Sequence, residues 1–217
     1  KLARKINDNN EGKFISDGKE LLNDYITKEE LWACTSCNAC TEACPIGIDP
    51  LSIIMDMRVG FGYDVHQWAS DRPLVLGGIR IPHHQGLLGH SDADVLLHAI
   101  TDALLGALAL GDIGTHFPDT NPEYKGADSG VLLQKAYALI REKGYMIVNI
   151  DATVIMEKPK LLEYIPKITQ RISELLDTEL DRVSIKATTS EKMGFVGRGE
   201  GAASMATVLV QQEKKDN

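Results

Sequence analysis

The cysteines of this chain lie where they could bind a metal cluster. Cys34, Cys37, Cys40 and Cys44 are the only 4 cysteines in the sequence, and Pro45 follows the last of them. Thiolates two or three residues apart can ligate different iron corners of one cubane, and this spacing is that of bacterial ferredoxins, in which the fourth cysteine ligates the other cluster. Because the sequence has no second run, three alternatives stay open: one [4Fe–4S] cluster bound by all the thiolates, half of a two-cluster module, or a structural zinc site.

A second group of residues has the chemistry of a divalent-metal site. Asp64 and His66 are two positions apart in a segment that alternates like a strand, so both side chains leave the same face. A carboxylate and an imidazole presented together suit a metal such as zinc. His98 lies in an apolar helical stretch, Val95–Ile100. A histidine among aliphatic residues is more often part of a core than a ligand, so spacing alone leaves the role of His98 open.

The periodicity around these residues predicts an α/β fold of the α+β type. The alternation at Arg58–His66 predicts a strand, and Gly77-Gly78 between two short apolar runs predicts a tight hairpin over 74–81. Further strands are predicted over 145–156, 183–188 and 202–210, the last two separated by a glycine-rich segment, 194–201. Strands that alternate with helices predict a mixed sheet with helices packed mainly on one face.

Three helices are predicted to accompany these strands. Ser91–Asp94 is a capping-box variant that opens a helix to about Leu110, with Gly111 as its stop. The other two helices are expected over 129–143 and 161–176. The first of the three carries His98 toward the strand with Asp64 and His66 if helix and strand pack together.

The composition excludes several classes of protein. The chain has 217 residues, of which 43% are hydrophobic and 25% charged, as in ordinary globular proteins. With 23 basic against 31 acidic residues, it is a poor candidate for binding nucleic acid, which requires neutralisation of phosphates. No apolar stretch reaches membrane-spanning length, and the first residues lead into no apolar signal region. Together with the clustered cysteines, these features predict a cytoplasmic protein without a membrane partner.

The chemistry of the chain changes near Met57. All the cysteines lie in residues 1–56, whereas all 6 histidines lie in residues 57–217. We therefore expect a small cysteine-rich, iron–sulfur-like segment over 1–56 in front of a second domain over 57–217. No Pro- or Ser-rich linker separates the two ranges.

An ordered series of motifs connects the second range with a known family. The motifs are Arg58–His66, Gly77–Pro82, Gly89–Val95, Leu97–Leu104, Gly111–Gly114, Phe117–Thr120, Lys186–Lys192 and Gly197–Gly201. In this order they resemble the 2-C-methyl-D-erythritol 2,4-cyclodiphosphate synthases, a family of the non-mevalonate isoprenoid pathway, from Met57 to about Gln212. The segment Leu31–Met57 resembles the cluster segment of iron–sulfur oxidoreductase subunits, which normally carry a second cysteine run.

The resemblance implies a phosphorus–oxygen lyase. The family's substrate is 4-diphosphocytidyl-2-C-methyl-D-erythritol 2-phosphate, whose 2-phosphate attacks the β-phosphorus, so that a cyclic diphosphate forms and CMP leaves. Asp64, His66 and His98 match the zinc ligands, with a fourth tetrahedral position left for a phosphate oxygen. Glu191 matches the ligand of a second metal, Mg²⁺ or Mn²⁺. The family is a homotrimer with sites between subunits, and residues 1–56 are expected to be dispensable to the cyclase.

The resemblance also assigns roles to residues that would otherwise pass as ordinary capping, loop or surface residues. His90 and Thr189 match catalytic positions that stabilise the transition state at phosphate oxygens. The implied substrate contacts are Asp64, His66, His90, Ser91, Asp112, Gly114, Phe117, Asp119, Lys160, Thr188, Phe195 and Arg198, with Lys160 in the cytidine pocket. Ser91 is expected to be both a helix N-cap and a substrate contact, because helix N-termini attract anions.

A few residues depart from the family pattern. Met156 stands where a small residue is usual at the cytosine pocket, Ser190 replaces a frequent threonine, and Asn121 replaces a frequent aspartate. None of them is a proposed metal ligand, so we expect altered packing and unchanged chemistry. His83 and His84 match no family ligand and are expected to face solvent.

Two other functions are compatible with parts of the sequence. In one, the chain is an electron-transfer protein whose cluster is the function and whose second domain is a scaffold. In the other, it is a non-catalytic zinc-binding interaction module. The joint presence of Asp64, His66, His98 and Glu191 favours the cyclase, because a scaffold does not need them.

Overall fold

A five-stranded sheet with helices packed against it makes up the part of the chain that the computed structural model describes, residues 57–213. The predicted cysteine site falls on residues 1–56, outside the described residues. The strands are β1 (Met57–Ala69), β2 (Leu74–Leu76), β3 (Ile79–Ile81), β4 (Gly86–Leu87), β5 (Tyr145–Ile155), β6 (Val183–Thr188) and β7 (Gly201–Gln212). The helices are α1 (Val95–Ala107), α2 (Ile113–His116), α3 (Ser129–Glu142), α4 (Ile165–Leu175) and α5 (Gly194–Gly197), with 3₁₀ turns at Pro122–Tyr124 and Leu180–Arg182.

The central strand of the sheet is β7, in the order β4-β1-β7-β5-β6. It pairs antiparallel with β1 and β5, whereas β6 runs parallel to β5. α1 packs on β1 and β7, α3 packs on α1 and β5, and α4 packs on β6. The predicted mixed sheet with its packed helices is confirmed. Within residues 57–213, no helix is long and apolar enough to cross a membrane.

The predicted hairpin is also confirmed. β2 and β3 pair antiparallel on either side of Gly77 and Gly78. Both glycines have positive φ, at 59° and 72°, which is the requirement of a two-residue turn that matches the twist of its strands. The turn also brings the backbone N–H of Gly78 to Asp94, 2.7 Å from its Oδ2.

The inner face of β1 carries glycine at positions 60 and 62, which allows α1 to lie directly on this part of the strand. A Cβ added at Gly60 would lie 1.8 Å from the carbonyl oxygen of Ala103, and one at Gly62 would lie 2.0 Å from that of Ala99. Both alanines are fully buried. No side chain other than hydrogen fits between these backbones, so the close approach depends on these two positions. It brings the helix that carries His98 against the strand that carries Asp64 and His66.

The other face of β1 carries an exposed row of apolar side chains. Val59 is 65% exposed and Phe61 62%, and Tyr63 and Val65 are each more than 40% exposed. Met205 on β7 pairs with Tyr63 and adds to the row. The alternation in the sequence predicts two unlike faces correctly, but the apolar one points away from the core of the chain.

α1 begins later than the sequence predicts. Its N-cap is Asp94, whose Oδ1 accepts hydrogen bonds from the N–H groups of Leu96 and Leu97. Ser91 is not the N-cap: its Oγ accepts from the N–H of Ala93, one turn upstream. Asp94 is fully buried, and its other oxygen, Oδ2, accepts the N–H of Gly78, so one carboxylate binds both the hairpin and the helix and fixes the start of the helix there.

α1 also ends earlier than Leu110. The N–H of Leu110 bonds to the carbonyl of Leu105, the N–H of Ala109 bonds to that of Gly106, and Ala109 has a φ of 54°. This is the Schellman arrangement, whose left-handed position is usually glycine. Since alanine occupies it here, the stop at Gly111 that the sequence suggests is displaced by two residues.

The remaining differences concern short elements. α2 and α5 are helices of four residues in segments that were expected to be loops. α2 forms because Asp112 caps it, accepting from the N–H and the hydroxyl of Thr115. α4 begins at Ile165, after the expected start at Leu161. The helix over 129–143 and the strand over 145–156 agree with α3 and β5 to within one residue.

Candidate active site

Three side chains converge where β1 meets α1. Asp64 Oδ2 lies 3.0 Å from His66 Nε2 and 3.0 Å from His98 Nδ1. The two ring nitrogens are 3.1 Å apart. All three residues are partly buried, and one atom from each lies within metal-ligand reach of the others. The convergence that the sequence left open for His98 is therefore present.

The hydrogen-bond partners of the two imidazoles determine which ring nitrogen of each could ligate a metal ion. The carbonyl oxygen of Leu88 lies 2.7 Å from His66 Nδ1. Because a carbonyl only accepts, Nδ1 donates its hydrogen there, and Nε2 of the neutral ring turns a lone pair toward Asp64. On His98 the roles are exchanged, since Nε2 lies 2.9 Å from Ser129 Oγ and Nδ1 faces Asp64. Two lone pairs and a carboxylate aimed at one place repel one another without a cation, so the three residues fit a metal ion.

The electrostatics of the cluster also favour a bound cation. Burial opposes ionisation of Asp64, but hydrogen bonds and charge from His66 and His98 outweigh it and hold the pKa of the Asp64 carboxyl well below its ordinary value. Burial likewise disfavours the protonated form of His66, but the hydrogen bond with Asp64 prevails and raises the pKa of His66. The carboxylate thus draws positive charge, a proton or a metal ion, to the position between the rings.

A pocket of about 470 Å³ lies at the end of β6. It is lined by Met156, Pro159, Lys160, Leu161, Leu162, Ile165, Ile185, Lys186, Ala187, Thr188 and Thr189. Most of the lining is apolar, and its polar residues are Lys160, Lys186, Thr188 and Thr189. An apolar wall with a few polar groups suits a planar ring that must also be oriented.

The turn after β6 carries Glu191 in a constrained conformation. Glu191 and Lys192 have φ values of 52° and 62°, although neither is glycine. Glu157 Oε1 holds the turn by accepting from the N–H groups of Ser190 and Lys192, at 3.1 and 3.2 Å. Glu191 itself accepts from Thr189 Oγ1 at 3.0 Å. Two consecutive left-handed residues held by a neighbouring carboxylate indicate a turn whose shape matters to function.

Comparison with known proteins decides the family. The model of the YgbB family matches residues 57–211. The chain belongs to the YgbB family. The model of a 4Fe-4S dicluster domain matches residues 2–48. Both predicted resemblances are thus confirmed at the level of family.

Relatives of this YgbB-family chain carry a consistent name. A protein of Bacillus cereus (strain B4264) called 2-C-methyl-D-erythritol 2,4-cyclodiphosphate synthase is 59% identical over 156 residues, which is 72% of this chain and 99% of the relative. Among solved structures, the bifunctional IspDF of Campylobacter jejuni is 44% identical with a TM-score of 0.71, covering 73% of this chain and 43% of that one. A 2C-methyl-D-erythritol-2,4-cyclodiphosphate synthase bound to CDP is 36% identical with a TM-score of 0.66, covering 71% of this chain and 100% of that one.

The other site residues predicted for this YgbB-family chain fall into separate groups. Lys160, Thr188 and Thr189 share the pocket at β6. Ser91 is buried beside His98, at 3.1 Å from its Nε2. His90 Nε2 lies 3.4 Å from the carbonyl oxygen of Asn121. Within the described chain, the structure brings Ser91 and not His90 to the histidine pair.

The loop residues lie around α2 and α5. Asp112 caps α2, Gly114 lies within it, and Phe117 stacks edge-on against Tyr124 with ring centroids 5.5 Å apart. Asp119 lies in the loop beyond. Phe195 is in α5, and Arg198 after it pairs with Glu200 at 2.6 Å.

One expectation for the histidine loop is half wrong. His84 is exposed, as predicted, but His83 is partly buried, with its ring centroid 5.4 Å from that of Trp68. Trp68 is near the end of β1, and its large ring covers the imidazole. Burial and the neighbouring His84 and Lys158 lower the pKa of His83.

Sequence reasoning missed three residues at this site. Ser129 and Asp92 lie behind His98, and Glu157 holds the turn of Glu191. Asp92 stands inside the motif Gly89–Val95 and could have been noticed there. Ser129 and Glu157 give no local signal, since each is far along the chain from the residue that it contacts.

Proposed function

We propose that residues 57–217 catalyse the cyclisation of 4-diphosphocytidyl-2-C-methyl-D-erythritol 2-phosphate to 2-C-methyl-D-erythritol 2,4-cyclodiphosphate, with release of CMP. The observation that carries this proposal is the convergence of Asp64, His66 and His98 in a chain 59% identical to a relative of that name. An oxygen of the 2-phosphate bonds to the β-phosphorus as the bond from that phosphorus to the oxygen of the α-phosphate breaks. The electron pair of the broken bond leaves with CMP.

The metal of the convergent site is zinc in this proposal. Two nitrogens and one carboxylate oxygen are a common ligand set for catalytic zinc. Ligand atoms about 2.0 Å from a tetrahedral zinc ion lie about 3.3 Å from one another, and the atoms here are separated by 3.0 to 3.1 Å. When bound, the ion supplies positive charge and Lewis acidity at a phosphate oxygen. Asp64, His66 and His98 would hold it.

The remaining groups orient and neutralise the diphosphate. We assign a second metal, Mg²⁺ or Mn²⁺, to Glu191, whose turn is held by Glu157. Thr189 and His90 donate to phosphate oxygens as charge moves from the attacking to the leaving oxygen. Such transfer needs alignment and neutralisation of charge, and no protein nucleophile. We assign the cytidine to the pocket at β6, with Lys160 and Thr188, because its mostly apolar wall suits a planar ring.

The rest of the substrate is assigned to the loop residues. We assign Asp112, Gly114, Phe117 and Asp119 to the methylerythritol group, Ser91 to a phosphate, and Phe195 and Arg198 to the diphosphate end. These assignments are supported by the matching motifs. We propose the domain boundary at Met57, a choice supported by one family match that begins at residue 57 and another that ends at residue 48. The cytoplasmic location stays a prediction.

Release of CMP by the metal-stripped chain tests the proposed function. The full chain is treated with a chelator, dialysed, and incubated with the substrate, and CMP is measured by chromatography. We expect release only after zinc and magnesium are restored. Stoichiometric zinc binding without CMP release would refute the activity and favour the non-catalytic zinc module.

The exposed row on β1 supports a homotrimer as part of this proposal. Val59, Phe61, Tyr63 and Val65 form a continuous apolar strip on the sheet face opposite α1, and a monomer rarely leaves such a strip in water. A second copy of the chain is the occupant that gives each strip an apolar neighbour. Sites between subunits would then combine the convergent residues of one copy with the pocket of the next.

Phe61→Glu is expected to dissociate the trimer into monomers without unfolding them. A carboxylate at a position 62% exposed in the single chain costs little in the monomer, but burying it between copies without a partner is unfavourable. Mass is measured by light scattering and helix content by circular dichroism. Leu180→Glu, at a position 55% exposed on the 3₁₀ turn before β6, is the control and should remain trimeric. A Phe61→Glu protein of unchanged mass would rule out this face.

The cysteine segment supports a second, separate function. The match of a 4Fe-4S dicluster domain to residues 2–48 favours a [4Fe–4S] cluster on Cys34, Cys37, Cys40 and Cys44 over structural zinc. After anaerobic reconstitution with iron and sulfide, we expect visible absorption that dithionite bleaches and that Cys37→Ser removes. Zinc retained by these cysteines in place of iron would contradict the cluster.

A further inference from the structure

A buried serine lies directly behind the helical histidine of the site. Ser129, the first residue of α3, is fully buried, and its Oγ lies 2.9 Å from His98 Nε2. That nitrogen is on the side of the ring away from Asp64, which contacts Nδ1. Ser91 Oγ is a second neighbour of Nε2, at 3.1 Å, but it also accepts the N–H of Ala93. The imidazole is therefore held between a carboxylate on one side and hydroxyls on the other.

Asp92 holds Ser129 through two hydrogen bonds. The hydroxyl of Ser129 donates to Asp92 Oδ1, and its backbone N–H donates to Oδ2 at 3.1 Å. The N–H of Asp92 in turn bonds to the carbonyl of Ala127 at 3.0 Å. Both oxygens of the carboxylate thus accept from Ser129, Oδ1 also accepts the N–H of Asp94 at 3.2 Å, and the loop before α1 is joined to the start of α3. This arrangement leaves Ser129 little freedom to turn its hydroxyl elsewhere.

The directions of the hydrogen bonds between Asp92, Ser129 and His98 determine which ring nitrogen of His98 carries hydrogen. A carboxylate only accepts, so the hydrogen of the Ser129 hydroxyl points to Asp92. The lone pairs of Ser129 Oγ then face His98, and Nε2 must be the nitrogen that carries hydrogen and donates it. Nδ1 is left with its lone pair directed toward Asp64 and His66. The hydrogen bonds that join Asp92, Ser129 and His98 therefore leave the lone pair of His98 Nδ1 in place to bind a metal ion.

We propose that Ser129 and Asp92 are positioning residues that fix His98 as an Nδ1 metal ligand. The inference rests on the proposed function for its identification of the metal as zinc. The recognised principle is that of carboxylate–histidine–metal triads, in which the outer group fixes the tautomer and orientation of the ligand. Here a serine lies between the carboxylate and the imidazole. Neither residue touches substrate in this role.

Loss of the Ser129 hydroxyl or of the Asp92 carboxylate is expected to weaken metal binding. Ser129→Ala and Asp92→Asn should each raise the zinc dissociation constant by about 10- to 100-fold, the usual effect of removing such a partner. The double variant should be no weaker than the more affected single one, because both act through one hydrogen-bonded chain. Affinity is measured on the full chain by competition with a chromophoric chelator.

A control and a spectroscopic readout separate positioning from a merely structural effect. Thr101→Ala removes another buried hydroxyl of α1, one that donates to the carbonyl of Leu97 and does not serve the imidazole, and it should leave zinc affinity unchanged. In ¹⁵N-edited NMR, zinc-loaded wild type should show His98 with hydrogen on Nε2, and Ser129→Ala should broaden or shift that signal. Melting temperatures identify any variant that has lost its fold. If Ser129→Ala is such a variant, the zinc affinity of Asp92→Asn tests the proposal.

The outcomes distinguish this inference from the proposed function. Unchanged zinc affinity in folded Ser129→Ala and Asp92→Asn, or His98 with hydrogen on Nδ1, would overturn the positioning role while leaving CMP release by the wild type unaffected. If the wild type binds zinc but releases no CMP, and both variants bind zinc more weakly than the wild type, the positioning role stands and the proposed activity fails.

Discussion

His98→Ala is expected to lower the rate of CMP release by at least about a thousandfold, equivalent to about 4 kcal/mol of transition-state stabilisation. The variant removes one of three ligands and leaves a carboxylate with a single imidazole, 3.0 Å apart, which is too few donors to keep zinc at a catalytic site. Turnover and zinc content are measured together on the purified full chain. Both should fall, and excess zinc should restore only part of the activity.

Two matched variants make the first prediction specific. His84→Ala removes an exposed histidine that lies in the loop beside Trp68 and His83, and it should keep full activity and zinc content. Cys37→Ser changes the segment that is expected to be dispensable to the cyclase and should also keep full activity. If Cys37→Ser abolishes turnover at an unchanged mass in light scattering, the separation of the two segments is wrong. If His98→Ala keeps its zinc, the metal lies elsewhere.

Gly60→Ala is expected to lower the free energy of unfolding by about 3 kcal/mol, at the upper end of the usual cost of overpacking. Its Cβ would lie 1.8 Å from the carbonyl oxygen of Ala103 and 2.7 Å from the N of Ala107, both backbone atoms of α1. A backbone cannot turn aside as a side chain can, so the helix must move off the strand. Denaturant-induced unfolding followed by circular dichroism measures the loss.

Gly106→Ala is the matched control for the glycine prediction. Gly106 lies on α1, and the nearest atom to an added Cβ is the carbonyl oxygen of Phe61 at 3.8 Å, an ordinary contact. Alanine in place of glycine inside a helix should raise stability by roughly 0.5 to 1 kcal/mol. An equal unfolding midpoint for Gly60→Ala and the wild type would show that α1 does not depend on the bare inner face of β1.

Much of the site was predictable because its chemistry is local or carried by an ordered series of motifs. The alternation of a strand predicted that Asp64 and His66 lie on one face. The ordered motifs predicted His98 as the third ligand. The pair of glycines at 77 and 78 predicted its hairpin for the same local reason. The family match then confirmed the resemblance over residues 57–211.

The rest depends on contacts between distant parts of the chain. Asp94 takes the N-cap from Ser91 because the hairpin brings Gly78 to its carboxylate, 16 residues away in sequence. Ala109 adopts a left-handed conformation that its residue type does not suggest, at the point where the N–H groups of Ala109 and Leu110 bond back to Gly106 and Leu105. Ser129 reaches His98 across 31 residues. No periodicity in the sequence encodes these pairings.

The two unlike faces of β1 impose a strict constraint on the length of that strand. From Val59 to His66, each side chain either meets α1 and the convergent site or belongs to the apolar strip. A single inserted or deleted residue ahead of Asp64 would turn the carboxylate and imidazole outward and drive a bulky side chain against the helix. Insertions or deletions of an odd number of residues in this stretch should therefore be absent among functional variants, even where ordinary substitutions are accepted.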